Sequence, residues 1–303
     1  MNGIIVIDKQ KEYTSFDVVA VMRRLLKQKK VGHTGTLDPM ATGVLPILVG
    51  NATKAQSLLP DTDKTYLASF ELGITTDTLD STGNVFSTCS FSVSREELTS
   101  KLTQFCGDIL QIPPMYSAVK QKGKRLYELA REGITVEREK RPVTIRKISL
   151  CEFDEANGCG KLEITCSKGT YIRTLCADLG DALGCGAIMT GLRRTEACGF
   201  PISSSITLEQ AKKLAEEGNL EDRLISVSQL FAVYPDVHVT KAQAVRFQNG
   251  GGLSLDRVFL KHGNADEQRY RVFGPKDSFL GLGMVSHRKE ELSVLQLFRE
   301  NVT

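Results

Sequence analysis

Closely spaced pairs of histidine and cysteine are absent from this chain of 303 residues. Its four histidines are scattered singly, and no two of its eight cysteines are closer than Cys159 and Cys166. Structural zinc sites require ligand pairs that are only a few residues apart. We therefore expect no bound metal, and we interpret the cysteines as buried thiols in a reducing cytosol.

Long apolar runs are also absent. The apolar run at residues 3–7 ends at Asp8 and Lys9, which makes it too short for the core of a signal peptide. No stretch approaches the ~20 apolar residues that a membrane-spanning helix needs. These absences predict a soluble, cytoplasmic protein that does not bind a membrane.

The glycine patterns of nucleotide-binding proteins and the nucleophile elbow of serine hydrolases are missing as well. The glycine-rich stretch at residues 31–46 has no GxxxxGK[ST] spacing, and it is not a GxGxxG between a strand and a helix. The sequence therefore predicts an activity that uses no nucleotide cofactor.

Charge is nearly balanced over the whole chain, at a formal +3, but it is unevenly distributed. Residues 115–147 hold ten Lys or Arg against four Glu, a local charge of +6. A second group of basic residues lies at 23–30. Clustered cations suit a phosphate backbone, although a run of charge is often only a solvated surface.

Strand and helix patterns follow one another without the strict order of parallel α/β proteins. The predicted strands lie at 3–7, 64–72 and 161–166. The predicted helices begin at Thr14-Ser15, at Ser94, at residue 124 and at Thr170, and a further helical stretch lies at 207–224. This mixture indicates an α+β fold with a mixed, largely antiparallel sheet. Near Pro235 the composition changes to short apolar runs separated by glycine-rich turns, which predicts a small β-rich domain at 235–303 after a larger one at 1–234.

Residues 31–46 read VGHTGTLDPMATGVLP and place one acid, Asp38, in a stretch that looks too irregular for a helix or a strand. We therefore expect a long loop. Asp38 and Pro39 could open a helical turn as N-cap and first residue, or the carboxylate could be held in a cleft to react. A two-carboxylate glycosidase would need a second acid. The other candidate acids are Asp77, Asp80 and Asp178. No sequence feature places any of them near Asp38.

The same stretch resembles the catalytic motif of the TruB-type tRNA pseudouridine synthases, a family that modifies uridine 55 in the TΨC arm. Other segments are similar to further motifs of that family, in the same order: GIIVIDKQKEYTSFDVV at 3–19, DKTYLASFELG at 63–73, IPPMYSAVKQKGKRLYELAREG at 112–133, SKGTYIRTLCADLG at 167–180 and GCGAIMTGLRRT at 184–195. The C-terminal residues resemble, more weakly, the small RNA-binding domain of the family.

The resemblance implies a pseudouridine-synthase catalytic domain at 1–234 with a basic thumb at about 105–147, and a PUA-like RNA-binding domain at 235–303. It implies an isomerisation in which uracil leaves C1′ through N1 and returns through C5. The implied substrate is a uridine flipped out of the T-arm stem-loop of tRNA, with no cofactor and no obligatory protein partner. A role in tRNA folding is compatible with it.

The motif positions imply roles for individual residues. Asp38 matches the nucleophile, which attacks either the sugar or C6 of the base, and the sequence leaves both routes open. Arg173 matches the arginine that pairs with the nucleophile, and Tyr66 matches the tyrosine that faces the target base. Tyr171 and Leu192 match the walls of the base pocket.

Two further sets of contacts are expected from the resemblance. His33 matches the histidine that enters the T-loop as the uridine leaves its stack. Contacts with the RNA backbone are expected from Lys120, Lys122, Lys124 and Arg125. Two alternatives stay open: an RNA-binding module whose catalysis is dispensable, and guide-dependent modification of other RNAs. A carboxylate, a tyrosine and an arginine in the matched positions favour the enzyme.

Overall fold

A computed structural model describes residues 1–121, 123–261 and 263–298 of the chain. The strands are β1 (Gly3–Lys9), β2 (Val31–His33), β3 (Thr42–Val49), β4 (Lys64–Leu72), β5 (Ile74–Thr76), β6 (Val85–Thr88), β7 (Gly107–Gln111), β8 (Lys120–Gln121), β9 (Lys124–Arg125), β10 (Arg141–Asp154), β11 (Cys159–Cys166), β12 (Ala187–Ala197), β13 (Phe200–Pro201), β14 (Ile206–Thr207), β15 (Asp236–His238), β16 (Leu253–Ser254), β17 (Arg269–Phe273), β18 (Phe279–Ser286) and β19 (Glu291–Leu297).

Among the described residues, the α-helices are fewer than the strands. They are α1 (Ser15–Leu25), α2 (Arg95–Leu102), α3 (Leu126–Arg131), α4 (Ile172–Ala182), α5 (Leu208–Glu216) and α6 (Lys241–Gln248). Short 3₁₀ helices lie at Gly50–Ala55, Thr103–Phe105, Ile202–Ser204, Leu220–Arg223, Val227–Phe231, Leu255–Arg257, Pro275–Asp277 and His287–Lys289. Within the described residues, no helix is both long and apolar enough to cross a membrane.

One large sheet organises the first two thirds of the chain. Its strand order is β14-β1-β3-β12-β4-β11-β10-β7, with β2 paired to β3 and β13 paired to β12. The pairs β1–β14 and β3–β12 are parallel, and the other pairs of this sheet are antiparallel. The predicted α+β fold with a mixed, largely antiparallel sheet is confirmed.

Apolar periodicity explains how the elements nearest the centre of the sheet form. On β4 the side chains of Tyr66, Ala68 and Phe70 are buried while the residues between them are partly exposed, as expected for a strand with one face on a core. Helix α1 begins at a capping box in which the Thr14 hydroxyl accepts from the Asp17 amide and the Asp17 carboxylate accepts from the Thr14 amide. Helices α2 and α4 cover β4 and β11, and α1 and α5 cover β1 and β3.

The structure corrects the predicted loop at residues 31–46. Its two ends are the strands β2 and β3, and only residues 34–41 form a loop. Strand β3 is buried on both faces from Gly43 to Val49, so its sequence lacks the alternation that would have identified it.

Two predicted helix starts also differ. Helix α4 begins at Ile172 with Tyr171 as its N-cap residue, so the prediction that Thr170 caps it is wrong. The Thr170 hydroxyl instead donates to the carbonyl of Ser167. Residue 124 does not start a helix either, because β8 and β9 pair as a short hairpin and α3 begins at Leu126.

The C-terminal residues form a second sheet with the strand order β15-β17-β18-β19-β16, which confirms the β-rich character expected there. Helix α6, which the sequence analysis missed, packs against it. This sheet shares an apolar cluster with the large one, in which Leu282 and Phe298 lie with Ile4, Leu48 and Phe231. The two sheets are therefore joined by a common core.

Candidate active site

A cleft of about 320 Å³ opens where the 34–41 loop meets strand β4 and the N-terminus of α4. Residues from these elements, from 116–118 and from 167–171 line it. The structure brings together five of the residues implied by the motifs, which are Asp38, Tyr66, Tyr171, Arg173 and Leu192.

The loop that carries Asp38 is held by buried polar groups. Asp38 starts a turn closed by the Ala41 amide, which donates to the Asp38 carbonyl at 3.0 Å. The buried Ser15 hydroxyl accepts from the Leu37 amide at 2.8 Å and lies 3.2 Å from the Leu37 carbonyl oxygen. The turn ends at Ala41 and no helix follows it, so Asp38 opens a single turn and does not cap a helix.

Lys9 holds the same loop through hydrogen bonds to backbone carbonyls. Its ammonium donates to the carbonyls of Gln10, Tyr13 and Pro39 at 3.0, 2.6 and 3.3 Å. Burial lowers the pKa of Lys9 to about 8, although the nearby charge of Asp38 acts in the opposite direction. Lys9 therefore fixes the residue that follows Asp38, and its ammonium loses its proton more readily than an exposed lysine does.

Arg173 connects the loop to the rest of the site. Its Nε lies 3.1 Å from Asp38 Oδ2, and its Nη1 lies 3.5 Å from Asp80 Oδ2. Nη1 and Nη2 also donate to the carbonyls of Thr78 and Tyr116 at 3.1 and 2.8 Å. The side chain of Arg173 is 7% exposed and that of Asp38 is 38% exposed. The guanidinium is thus fixed on all sides, while the carboxylate that it holds faces the open cleft.

Asp80 is a site residue that the sequence analysis left unplaced. Its Oδ1 accepts from the Thr78 hydroxyl and from the Thr82 amide at 2.7 and 3.0 Å, which leaves Oδ2 for Arg173. The Asp-x-Thr pattern at 80–82 is typical of such a local turn. No local pattern, however, indicates which distant residue the carboxylate would meet.

Tyr66 lies opposite a buried arginine. In the register of β4 and β12, Tyr66 pairs with Arg194 and Ala68 pairs with Leu192. The Arg194 side chain has no exposed surface, and it donates from Nε and Nη2 to the carbonyls of Val44 and Gly35 at 2.7 and 3.1 Å. Burial raises the pKa of Tyr66, and the charge of Arg194 partly offsets this shift. The phenol is therefore protonated near neutral pH.

Two residues missed by the sequence analysis set the backbone around the cleft. The buried side chain of Gln111 accepts from the Tyr171 amide at 3.0 Å and donates to the Tyr171 carbonyl at 3.3 Å. Gly43 has a φ of +105°, and a Cβ there would lie 2.1 Å from the Arg194 carbonyl oxygen. Only glycine permits β3 to approach β12 this closely.

The other residues named by the sequence analysis lie elsewhere. His33 is on β2 opposite Ile47, and it is not among the residues that line the cleft. Burial and then the charge of Arg194 lower the pKa of His33. Lys120, Lys124 and Arg125 are exposed on the β8–β9 hairpin. Lys122 lies outside the described residues. Within the described part, no cluster of three or more His, Cys, Asp or Glu is placed to hold a metal ion.

The cysteines only partly agree with the prediction of buried thiols. Three of them, Cys166, Cys176 and Cys185, are buried. For four others the prediction is wrong, because their side chains are exposed: Cys89, Cys106, Cys151 and Cys159.

Comparison with known proteins identifies the family of the chain. Residues 23–172 match the family model described as TruB family pseudouridylate synthase (N terminal domain), and residues 173–232 match that of the tRNA pseudouridylate synthase B C-terminal domain. The tRNA pseudouridine synthase B of Clostridium kluyveri is 42% identical over 298 residues, which cover 98% of this chain and all of the relative. The chain belongs to the TruB family of pseudouridylate synthases.

A second curated relative agrees with this membership, and two solved structures share the fold. The tRNA pseudouridine synthase B of Dechloromonas aromatica is 47% identical over 255 residues, 84% of each chain. Among solved structures, a Cbf5-Nop10-Gar1 complex matches with a TM-score of 0.73 at 25% identity, over 98% of this chain and 84% of that one. An H/ACA RNP bound to a substrate RNA containing 2′-deoxyuridine matches with a TM-score of 0.74 at 23% identity, over 99% and 86% of the chains. As a TruB-family pseudouridine synthase, the enzyme is an isomerase.

Proposed function

We propose that this TruB-family enzyme converts uridine 55 in the T-loop of tRNA to pseudouridine, with Asp38 as the nucleophile and without a cofactor. The observation that carries the proposal is the placement of Asp38, partly exposed in the cleft and paired with the buried Arg173 at 3.1 Å. The relatives with which the chain aligns along most of its length are named tRNA pseudouridine synthase B, which supports tRNA as the substrate.

The chemistry needs a nucleophile and proton transfer but no redox partner. The C1′–N1 bond breaks, a C1′–C5 bond forms, C5 loses its hydrogen as a proton and N1 gains one, so the product is an isomer of the substrate. The ion pair with Arg173 engages Oδ2 of Asp38. We infer that Oδ1 attacks the nucleotide at C1′ or at C6, since a carboxylate in either position could open the route.

The walls of the cleft suit a planar, neutral base. Tyr66 and Tyr171 provide aromatic faces and Leu192 provides an apolar one. Because the phenol of Tyr66 is protonated near neutral pH, we propose that its hydroxyl donates a proton or a hydrogen bond during the transfer. Arg173 and Asp80 act by holding Asp38 in place.

Flipping the uridine out of the T-loop costs a few kcal/mol of stacking, which contacts with the RNA backbone must offset. We propose that these come from Lys120, Lys122, Lys124 and Arg125 on the thumb, at about 105–147, and from the basic residues at 23–30. His33 is proposed to fill the space that the uridine leaves. The PUA-like domain proposed at 235–303 then adds contacts to those of the catalytic domain at 1–234.

The test is to incubate the purified protein, with no other protein or RNA, with an unmodified tRNA transcript and to map pseudouridine at single-nucleotide resolution. We expect one modified position, in the T-loop. A transcript in which cytidine replaces that uridine is the matched control and should remain unmodified. Modification only after a guide RNA or a partner protein is added would contradict the proposal and favour the guide-dependent alternative.

A role in tRNA folding is the second candidate, and the exposed hairpin favours it. Lys120, Lys124 and Arg125 lie on β8 and β9, apart from Asp38, so binding and chemistry can be separated by substitution. An Asp38→Asn variant should then still accelerate the refolding of a denatured tRNA. Loss of this acceleration together with turnover would rule out a separate folding role.

A further inference from the structure

Lys64 is a charged residue of the cleft to which the proposed chemistry assigns no task. It is the first residue of β4, two positions before Tyr66, and it lines the same cleft. Its ammonium donates to the Thr62 carbonyl at 3.1 Å, although an ammonium can donate three hydrogen bonds. Within the described residues, no carboxylate lies within 4.0 Å of it.

Arg194 adds a second positive charge beside Lys64. Its buried Nη1 has no hydrogen-bond partner among the described residues. A Cβ placed on Gly35 would lie 3.2 Å from Lys64 Cε and 3.8 Å from Arg194 Nη1, so both cations flank this glycine of the catalytic loop. Burial and the charge of Arg194 lower the pKa of Lys64.

The acids of the site do not neutralise this pair. Asp63 is the carboxylate whose charge acts on Lys64, but Arg146 pairs with it at 3.1 Å. Asp38 is held by Arg173. Two adjacent cations with little access to water are costly unless an anion approaches them. One end of the cleft, formed by Lys64 and Arg194, therefore carries positive charge that no nearby carboxylate of the described residues neutralises.

We infer that Lys64, supported by the charge of Arg194, binds a phosphodiester group next to the target uridine. Uracil and ribose are neutral, so the phosphodiester is the anionic part of an RNA nucleotide that could enter the cleft. The inference rests on the proposed function, because it takes RNA to be the substrate. The phosphate on the 5′ side and that on the 3′ side share this chemistry, and the experiment distinguishes them.

The test combines a Lys64→Met variant with RNA that carries one neutral linkage. T-arm stem-loops are made with a single methylphosphonate 5′ of the target uridine, 3′ of it, or at a remote position in the stem. Equilibrium binding and single-turnover rates are measured separately for each pair. Lys213→Met, at an exposed lysine of α5, is the matched control protein, and Lys64→Arg retains the charge.

We expect Lys64→Met to weaken equilibrium binding, or to lower the single-turnover rate, by roughly ten- to a hundredfold on the natural stem-loop, as for the loss of a charged hydrogen bond. One of the two adjacent methylphosphonates should lower the affinity or the rate of the wild type to a similar extent. The same methylphosphonate should lower the affinity and the rate of Lys64→Met only a little further. The remote linkage should affect both proteins equally, and Lys64→Arg should behave more like the wild type than Lys64→Met does.

The inference would be overturned if each adjacent methylphosphonate lowered affinity or rate by the same factor in Lys64→Met as in the wild type. Unchanged binding and rates in Lys64→Met would overturn it as well. Near-ultraviolet circular dichroism verifies that the variant is folded. The proposed function is tested by a different measurement, because it predicts that the wild type modifies the natural stem-loop. A wild type that binds without turnover would refute that function while the binding data still decide the role of Lys64.

Discussion

Replacement of Arg173 by lysine tests how the site holds its nucleophile. The guanidinium reaches two carboxylates and two carbonyls, those of Asp38, Asp80, Thr78 and Tyr116. Lysine keeps the positive charge, but its single nitrogen cannot occupy the positions of Nε, Nη1 and Nη2 together. Arg173→Lys therefore loses at least part of this set and leaves Oδ2 of Asp80, whose side chain is 5% exposed, without a well-placed cation.

The structure indicates how large each loss should be. A hydrogen bond to a charged group contributes about 1.5–3 kcal/mol. Asp38 is 38% exposed, so water replaces part of what it loses. We expect a loss near the lower limit, about 1.5 kcal/mol, which lowers the rate roughly tenfold. Asp80 has little access to water, and we expect the free energy of unfolding to fall by about 2–3 kcal/mol.

The assay measures the single-turnover rate at saturating tRNA, the tRNA affinity and thermal unfolding of the same preparations. Arg173→Lys should lower the rate about tenfold and the free energy of unfolding by about 2–3 kcal/mol. Its tRNA affinity should change by less than about tenfold. Asp80→Asn is the matched control, because it leaves the contact between Arg173 and Asp38 in place. It should lose stability but less rate. Weakened tRNA binding with an unchanged rate at saturation would show that Arg173 contacts the RNA instead.

Three further outcomes are expected. Lys120→Glu, Lys124→Glu and Arg125→Glu together should weaken tRNA binding and reduce the slope of log affinity against log salt by about two to three units. An unchanged slope would show that the hairpin is only a solvated surface. Because the pKa of Lys9 is about 8, the ammonium that holds the Asp38 loop loses a proton above that pH, so the rate should fall as pH rises through 8. In Lys9→Arg, which stays charged, this fall should move to higher pH, and an identical fall in both proteins would contradict the assignment. Removal of residues 235–303 uncovers Ile4, Leu48 and Phe231 and should lower the melting temperature, yet a folded truncation should still modify a T-arm stem-loop. Complete loss of turnover at saturating RNA would place part of the active site in the tail.

Local patterns in the sequence were sufficient where a single face of an element is buried. The alternation on β4 placed Tyr66 on the buried face, and the Thr14 capping box located the start of α1. Strand β3 was not predicted. Both of its faces are buried, so its apolar residues do not alternate with polar ones. The loop expected at residues 31–46 is present only at residues 34–41, around Asp38.

Contacts between distant segments were beyond such patterns. Asp80 meets Arg173 across the fold, and Gln111 holds the backbone of Tyr171. Arg194 could be seen in the GLRRT segment, but its burial opposite Tyr66 depends on the register of β4 and β12. The motif resemblance placed Asp38 and Arg173 in one site, and the structure puts their side chains 3.1 Å apart.

The most direct test of the central claim is pseudouridine formation by Asp38→Asn. Asparagine keeps the shape of the side chain and removes the carboxylate nucleophile. With an unmodified tRNA transcript mapped at single-nucleotide resolution, we predict no pseudouridine at the T-loop position, while tRNA affinity stays within about tenfold of the wild type, or roughly 1.4 kcal/mol. Turnover at that position by a preparation shown to contain no wild-type enzyme would contradict the account.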